Sequence, residues 1–293
     1  MGEDMTLEQF KAFVDQFDYV AKVILYGIGE TLMHRDIFEM VRYLKKKRIF
    51  CGFFTNGTLL TERNRQAIVD GGQDYLNISV DGASKESFER LRAGANFEKV
   101  VENVKALVQL VRERNCRLDM EVWNCLTAET VHELPELVRL TAEMGVPKLV
   151  AQDIMFWNSP GIEESFGAKY IDMVRARRET AFEEAATEAR RLGIGLDILM
   201  SAGDGKRKCQ IPWYFAYITA KGLATPCNWH GWDGVKLNFG SVFDRPFHEI
   251  WHSSEYVKFR REMKARVEPE FCQKCPMWDR KIVRLVETHR LSR

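Results

Sequence analysis

The sequence has no excess of charge of one sign, no long apolar run, and no repeated or low-complexity tract. Its 43 lysine and arginine residues are balanced by 42 acidic residues, so the formal net charge is +1. Without a basic field, little attracts nucleic acid or an anionic membrane surface, and we expect neither as a partner. No stretch approaches the roughly 20 apolar residues of a membrane span, and the first residues lack the charged-then-apolar pattern of a secretion signal. We therefore expect a cytoplasmic protein.

The sequence also lacks a cysteine pattern that suits a disulfide framework. Its seven cysteines are an odd number, and four of them are spaced as metal ligands. In a reducing compartment we expect no disulfide network. Cys51 and Cys116 lie at or near the starts of apolar runs, where cysteine usually behaves as a small hydrophobic core residue. Cys125 is left without an assigned role.

Four cysteines near the carboxyl end predict a metal site. Twelve residues separate Cys209 from Gly222, four more lead to Cys227, and a Cys-x-x-Cys pair, Cys272 and Cys275, follows. Four thiolates suit either a tetrahedral zinc ion or an iron–sulfur cluster. The spacing does not choose between the two.

A hairpin between the first two of these cysteines would bring them together. Residues 211–226 read as two short strands joined by a turn at Lys221 and Gly222. Such a turn would place Cys209 beside Cys227.

Short apolar runs alternate with amphipathic stretches from residue 6 to about 193. This is the pattern of repeated βα units with a parallel sheet, so the fold class is predicted to be α/β. The predicted strands are 22–26, 49–54, 75–80, 117–123 and 148–153, and a further apolar run covers 195–200. The predicted helices lie near 6–17, 35–47, 61–70, 97–114, 130–144 and 165–192.

A small, polar, glycine-containing stretch at 201–208 predicts a linker between two domains. With 293 residues, of which 45% are hydrophobic, the chain can bury a substantial core. We predict a larger domain over 1–203 and a smaller cysteine-rich one over 204–293. A parallel sheet rarely begins with a helix, because a helix normally leads out of an earlier strand, so we expect a further element upstream of residue 6.

A glycine-containing turn follows the first predicted strand. Gly27 and Gly29 would let a ligand approach the backbone, and Glu30 at the strand end could accept charge-assisted hydrogen bonds from an ammonium group. The alternative is a tight βα turn in which Glu30 favours the start of the next helix.

Three segments in order resemble the core of the radical S-adenosylmethionine (radical SAM) superfamily. They are residues 27–30 (Gly-Ile-Gly-Glu), 54–60 (Phe-Thr-Asn-Gly-Thr-Leu-Leu) and 78–82 (Ile-Ser-Val-Asp-Gly). The tail resembles the SPASM/twitch extension of that superfamily, in which a hairpin and a later cysteine pair hold an auxiliary 4Fe–4S cluster. Residues 239–243, 248–251 and 258–260 continue the match, which covers about residues 6–280. The resemblance implies a partial (βα)6 barrel with its site at the strand ends, here without its first strand, followed by a small SPASM/twitch domain.

The resemblance implies roles for six residues of the barrel. Gly29 and Glu30, with Gly27 in the same loop, match the motif that binds the amino group of S-adenosylmethionine; Thr31 stands where many relatives have proline. Ser79 and Asp81 match positions near its ribose. Asn124, just past the fifth strand of the family fold, is a candidate for its carboxylate, with a turn residue as the alternative. In the tail, the resemblance makes Cys209, Cys227, Cys272 and Cys275 the ligands of the auxiliary cluster.

The radical chemistry of the family needs a second cluster, held by a Cys-x-x-x-Cys-x-x-Cys loop after the first strand. No such spacing occurs in this sequence. We expect that the chain is a shortened version of a longer reading frame, with Met1 an internal or misassigned start. If the triplet is present upstream, the resemblance implies cleavage of S-adenosylmethionine to a 5′-deoxyadenosyl radical, which takes hydrogen from a peptide or small-molecule substrate. It also implies a reductant such as flavodoxin or ferredoxin.

Two rival functions remain open. The chain can be a non-catalytic or truncated protein that keeps an iron–sulfur cluster as a structural element, or a four-cysteine zinc module attached to an inactive domain. A phosphate-binding barrel that uses the glycines at 27, 29 and 57 leaves the cysteines unexplained. Aromatic residues around Trp213 and Trp229 are interpreted as packing, and ligation by His230 is not needed because four thiolates suffice. Asp153, Trp157 and Asn158 are candidates to face a substrate, with an exposed loop as the alternative.

Overall fold

The structure is a computed structural model that describes residues 4–127, 129–153, 179–201, 209–232, 237–267, 269, 272, 275 and 280–287. A seven-stranded sheet, in the order β1-β2-β3-β4-β5-β6-β9, forms its frame. Strands β1 to β6 are parallel, and β9 pairs antiparallel with β6. Those six are β1 (Lys22–Leu25), β2 (Phe50–Thr55), β3 (Tyr75–Ser79), β4 (Asp119–Leu126), β5 (Lys148–Asp153) and β6 (Gly195–Ser201); β9 is Arg280–Val286.

Helices connect the parallel strands. Because the strands follow one another in sequence order and such crossovers are right-handed, the helices lie on one face of the sheet. They are α2 (Ile37–Lys46), α3 (Glu62–Gly71), α4 (Lys85–Leu91), α5 (Phe97–Glu113), α6 (Leu134–Glu143) and α7 (residues 179–192), whereas α1 (Leu7–Val14) precedes β1. Short 3₁₀ turns cover Thr31–Met33, Val131–Glu133 and Ile211–Trp213.

Local sequence signals fix where several of these helices begin and end. Thr6 caps α1, its hydroxyl accepting from the Gln9 amide while the Gln9 side chain accepts from the Thr6 amide. Thr61 caps α3 through its hydroxyl, which accepts from the Asn64 amide, and Gly72 ends the helix in the left-handed region at φ 66°.

The main core lies between the helices and the outer face of the sheet. Alternate residues of each strand point there, including Leu76, Ile78, Val122 and Leu149, none of which has any exposed surface. They pack with the apolar stripes of α2, α5 and α6 in one continuous cluster. Burial of this cluster supplies the driving force for the α/β frame.

The opposite face of the sheet is concave and carries aromatic and charged side chains. Phe54 of β2 stacks with Trp123 of β4 at a centroid separation of 6.2 Å although β3 lies between their strands, so the sheet curves toward this face. Deeper in, Lys148 forms ion pairs with Glu121 at 3.1 Å and with Asp197 at 2.8 Å. Burial alone would raise the pKa of Glu121, but hydrogen bonds from Trp123 and Tyr75, together with Lys148, hold that pKa below its usual value. The concave face therefore keeps an ionised carboxylate that is already hydrogen-bonded within the protein.

A smaller lobe follows β6. A hairpin of β7 (Tyr217–Ile218) and β8 (Ala224–Thr225) precedes three helices: α8 (Asn228–Trp232), α9 (Phe247–Trp251) and α10 (Ser254–Ala265). The lobe has its own apolar core, in which the rings of Phe239 and Tyr256 stack at 4.0 Å. The predicted hairpin is confirmed, and Gly222 takes φ 78° in its turn.

Helix α1 and the residues after it connect the sheet to the smaller lobe. The side-chain amide of Gln16 donates to the Val242 carbonyl at 3.2 Å and accepts from the Phe247 amide at 2.7 Å. The Phe247 ring also packs against the rings of Phe13 and Phe17, with centroids 6.2 and 5.2 Å away. These contacts hold the two lobes together.

The predicted fold class is confirmed, with corrections to single elements. The strand predicted at 117–123 runs to Leu126, because Asn124, Cys125 and Leu126 continue to pair with β5. No helix was predicted at α4 and no strand at β9. The linker with the domain boundary at 203, and the first part of the helix predicted at 165–192, lie outside the described residues, so the division into 1–203 and 204–293 stays a prediction. Among the described residues, no helix has both the length and the apolar character needed to cross a bilayer.

Candidate functional site

The loop after β1 presents Glu30 at the carboxyl edge of the sheet. Gly27 and Gly29 are exposed, and Gly29 has φ 103°, a conformation that L side chains rarely adopt. Glu30 caps the 3₁₀ turn that follows, with Oε1 accepting from the Leu32 amide at 3.1 Å. The predicted alternative role of Glu30, at the start of the next helical turn, is therefore real, but it uses only part of the carboxylate.

The end of β2 holds the same carboxylate in place. The hydroxyl of Thr55 donates to Oε1 of Glu30 at 2.7 Å, and the Asn56 amide donates to Oε2 at 2.7 Å. A carboxylate offers about four acceptor positions, so these donors and the Leu32 amide leave capacity for one more. Thr55 and Asn56 belong to the 54–60 segment of the sequence resemblance, but only the folded sheet reveals that they orient Glu30.

Asp81 follows β3 and is engaged within the protein. Its Oδ1 accepts from the Cys125 amide at 2.8 Å, and its Oδ2 accepts from Nε of Arg92 at 2.7 Å. This carboxylate ties the end of β3 to β4 and α4. Ser79 ends β3 and is half-buried. Contacts of Ser79 and Asp81 with a ribose stay a prediction. Asp81 would have to bind the ribose in addition to Arg92 and the Cys125 amide.

Asn124 was expected just past the end of its strand, and this position is wrong. Its contact with the carboxylate of S-adenosylmethionine stays a prediction. Asn124 is inside β4, on the buried face, and its amide donates to the Val80 carbonyl at 3.1 Å. Pairing of β4 with β5 continues beyond it, which also excludes the turn alternative. The neighbouring Cys125 points to the other face and accepts a hydrogen bond from the Gln152 amide group at 3.3 Å. Of the other predicted substrate-facing residues, Trp157 and Asn158 and the side chain of Asp153 lie outside the described part of the chain.

A row of aromatic rings leads from the smaller lobe onto the concave face. Tyr217 of β7 contacts Tyr26 at 5.6 Å, Tyr26 stacks with Phe54 at 4.9 Å, and Phe54 stacks with Trp123. The Tyr217 hydroxyl also lies 3.5 Å from the Tyr26 carbonyl oxygen. The strand-end site and the smaller lobe are thus in direct contact.

The four predicted cysteine ligands line one cavity of the smaller lobe. Cys209 precedes a 3₁₀ turn, Cys227 follows the hairpin, and Cys272 and Cys275 approach from the end of the lobe. Much of the remaining wall is apolar and includes Ile211, Pro212, Phe259 and Met263. The hairpin therefore brings Cys209 and Cys227 to one site, as predicted.

As ligands, these four thiols suit either a zinc ion or an iron–sulfur cluster. A tetrahedral zinc ion with Zn–S bonds of about 2.3 Å would hold its sulfurs about 3.8 Å apart. In the part of the chain that the structure describes, no three His, Cys, Asp or Glu side chains close around one metal ion. Soft sulfur donors around a shared apolar cavity are the donor set of a 4Fe–4S cluster, whose several irons separate the thiolates more widely.

Burial suppresses ionisation of these thiols in the absence of a metal. It raises the pKa of Cys227 to about 12, although the backbone amides of His230 and Trp229 donate to the sulfur and oppose that rise. Burial also raises the pKa of Cys209, against a hydrogen bond from the Ile211 amide. Cationic iron reverses this balance because coordination deprotonates a thiol. The backbone amides that donate hydrogen bonds to these sulfurs are therefore in place before a metal binds.

His230 is the one imidazole at this cavity among the described residues. Its Nε2 lies 3.3 Å from Sγ of Cys272, and the side chain is 2% exposed. Burial lowers its pKa to about 4, so the ring is neutral at physiological pH. The interpretation of this neighbourhood as packing is thus incomplete, because His230 makes a polar contact with a candidate ligand.

Comparison with known families agrees with this arrangement. The model of the radical SAM superfamily matches residues 1–141, and the SPASM model, an iron–sulfur cluster-binding domain, matches residues 209–276. The chain belongs to the radical SAM superfamily and carries a SPASM domain.

Relatives of this radical SAM/SPASM protein have several activities. It is 23% identical to an AdoMet-dependent heme synthase of Nitratidesulfovibrio vulgaris, over 93% of this chain and 76% of the relative. It is 24% identical to a PqqA peptide cyclase of Gluconobacter oxydans, over 86% of this chain and 68% of the relative.

A solved structure has the same fold. Streptococcus suis SuiB bound to its precursor peptide SuiA superposes with a TM-score of 0.66 at 14% identity, covering 87% of this chain and 59% of SuiB. The chain thus spans about three fifths of that protein.

Proposed function

We propose that this protein binds S-adenosylmethionine at the carboxyl ends of its strands and holds an auxiliary 4Fe–4S cluster through Cys209, Cys227, Cys272 and Cys275. The observation that carries the proposal is that these four cysteines, which are up to 66 positions apart in the sequence, line one largely apolar cavity. The family models for a radical SAM core and an iron–sulfur cluster-binding domain support it.

The residues of this chain would bind and orient rather than carry out the difficult step. Glu30, held by Thr55 and Asn56, would accept a hydrogen bond from the ammonium group of the cofactor. Ser79 would lie near the ribose, and the concave face would orient a substrate C–H bond and exclude water. A radical SAM cluster with an open iron, if one is held beside this site, would supply the electron that cleaves S-adenosylmethionine to a hydrogen-abstracting 5′-deoxyadenosyl radical.

The substrate is proposed only by class. Relatives named for heme synthesis and for peptide cyclisation, and a fold neighbour bound to a precursor peptide, support a peptide or another small organic molecule. A small reductant protein such as flavodoxin or ferredoxin would supply electrons. The four-cysteine zinc alternative is less supported because the matched SPASM model describes an iron–sulfur cluster-binding domain.

Anaerobic loading with iron and sulfide tests the metal site. We expect about four irons and four sulfides per chain, as a 4Fe–4S cluster requires. Cys275→Ser should lose most of this iron and the associated visible absorption. Cys116→Ser is the matched control, because Cys116 lies half-buried beside β4, outside the cavity, and should load as the parent does. Stoichiometric zinc without sulfide would instead support the zinc module.

Calorimetric titration with S-adenosylmethionine tests the strand-end site. Glu30→Gln replaces a charged acceptor by a neutral one, and loss of a charge-assisted hydrogen bond of about 1.5–3 kcal/mol should weaken binding roughly 10- to 100-fold. Glu102→Gln, on the exposed surface of α5, should bind as the parent does. Equal affinity of all three proteins, each with an unchanged melting temperature, would remove Glu30 from the site.

A further inference from the structure

We propose that His230 donates a hydrogen bond from Nε2 to Sγ of Cys272 in the loaded centre and raises the reduction potential of the auxiliary cluster. The inference rests on the proposed function, which supplies the cluster. The inference assigns a role to His230, which is not a metal ligand itself but changes the electron density on the ligand Cys272. The carrying observation is the 3.3 Å separation between the two atoms.

The helix that bears His230 is fixed on both sides. His230 lies in the middle of α8, three residues after Cys227, and its ring meets Phe259 of α10 edge-on at 6.3 Å. The next residue, Gly231, packs so closely on Tyr217 that an added Cβ would lie 2.4 Å from the ring. Packing against α10 and β7 therefore holds the imidazole next to Cys272.

The chemistry of the contact determines in which direction the reduction potential of the cluster shifts. A hydrogen bond to a thiolate withdraws electron density from the sulfur and stabilises the more negative, reduced cluster, so it raises the potential. The effect comes from one N–H dipole directed at the sulfur atom. The apolar wall around it, which includes Ile211, Phe259 and Met263, strengthens the effect because little solvent screens it.

His230 differs from the other sulfur donors of the site because it acts through a side chain. Cys227 receives hydrogen bonds from the backbone amides of Trp229 and His230, and Cys209 receives one from the Ile211 amide. Those backbone donors are removed only by proline, which also fixes φ and so changes the backbone as well as the hydrogen bond. The donor to Cys272 can be removed or replaced alone, which makes its contribution measurable.

The test is the midpoint potential of the cluster, followed by electron paramagnetic resonance during a redox titration of the loaded, full chain. His230→Phe keeps a planar ring of similar size and removes the donor. We expect the ratio of reduced to oxidised cluster at a fixed potential to fall about tenfold, which for a one-electron couple is a shift of about 59 mV to more negative values. His230→Gln, which restores an N–H donor, should recover most of that shift. His248→Gln, on the exposed side of α9, should leave the potential unchanged.

Each outcome decides the proposal. An unchanged potential in a fully loaded His230→Phe protein overturns it. If His230→Phe does not load, His230→Leu, which also removes the donor, decides: a lowered potential supports the inference and a parent-like one overturns it. Strong hyperfine coupling to an imidazole nitrogen in the parent would also overturn it, because His230 would then be an iron ligand. Failure of the parent itself to bind iron and sulfide is a failure of the proposed function, and is seen before any variant is measured.

Discussion

Gly52 lies in the middle of β2, where any side chain would meet the neighbouring strand. A Cβ built on it would lie 2.1 Å from the carbonyl oxygen of Tyr75, a backbone atom that cannot move aside without disturbing β3. Tyr75 in turn donates its hydroxyl to Glu121 on the concave face. The absence of a side chain at this one position therefore allows the close approach of β2 and β3 under the candidate site.

Replacement of this glycine should be costly. We expect Gly52→Ala to lower the free energy of unfolding by about 1–3 kcal/mol, as overpacking a fixed core does, measured by urea denaturation. Gly71→Ala is the contrasting control, because its Cβ would make ordinary contact with Val41 at 3.6 Å near the end of α3. It should be neutral or stabilising by up to about 1 kcal/mol, since alanine reduces the entropy of the unfolded chain. Equal effects of the two substitutions would contradict the packing argument.

Secondary-structure elements of the sheet were predictable because each carries its own signal. The parallel strands are short apolar runs between amphipathic helices, and their observed bounds differ from the predicted ones by at most three residues. The largest error is at β4, where polar Asn124 and Cys125 continue the strand because β5 supplies hydrogen-bonding partners. Helix α4 is only seven residues long, with few apolar positions, so periodicity does not reveal it.

Elements and contacts that depend on distant partners were not predictable. Strand β9 is stable because it pairs with β6, about 80 positions earlier, and nothing local specifies that pairing. In the candidate sites, Glu30, the four cysteines and the 54–60 segment belong to motifs, but no local pattern reveals that Thr55 and Asn56 orient Glu30. The contact from His230 to Cys272 joins residues 42 positions apart, so it depends on the fold of the whole smaller lobe.

At the scale of the whole molecule, α1 and the residues after it join two lobes with separate cores. Its phenylalanines pack on Phe247, and Gln16 bonds to the same segment through both ends of its amide. The candidate cluster cavity lies in one lobe and the strand-end carboxylate in the other. The relative position of the two sites therefore depends on this joint together with the Tyr217–Tyr26 contact.

A double-mutant cycle can measure the coupling free energy between residues of the two lobes. Phe17→Ala and Phe247→Ala should show a coupling free energy of about 0.5–1.5 kcal/mol, the usual range for an aromatic pair, in urea unfolding of the full chain. Phe17→Ala combined with Phe97→Ala, which belongs to a separate aromatic pair on α5, is the control and should be additive. Additivity in both cycles would mean that the Phe17–Phe247 contact contributes nothing to the joint.

Strand β9 has a mechanical consequence. Since β9 returns to the sheet and lies directly against β6, the polypeptide leaves the frame and re-enters it at adjacent positions. The smaller lobe is thus connected to the sheet at both of its ends, through β6 and through β9, which lie side by side. A single cut within the lobe would leave β6 on one product and β9 on the other, and both strands can still pair in the sheet.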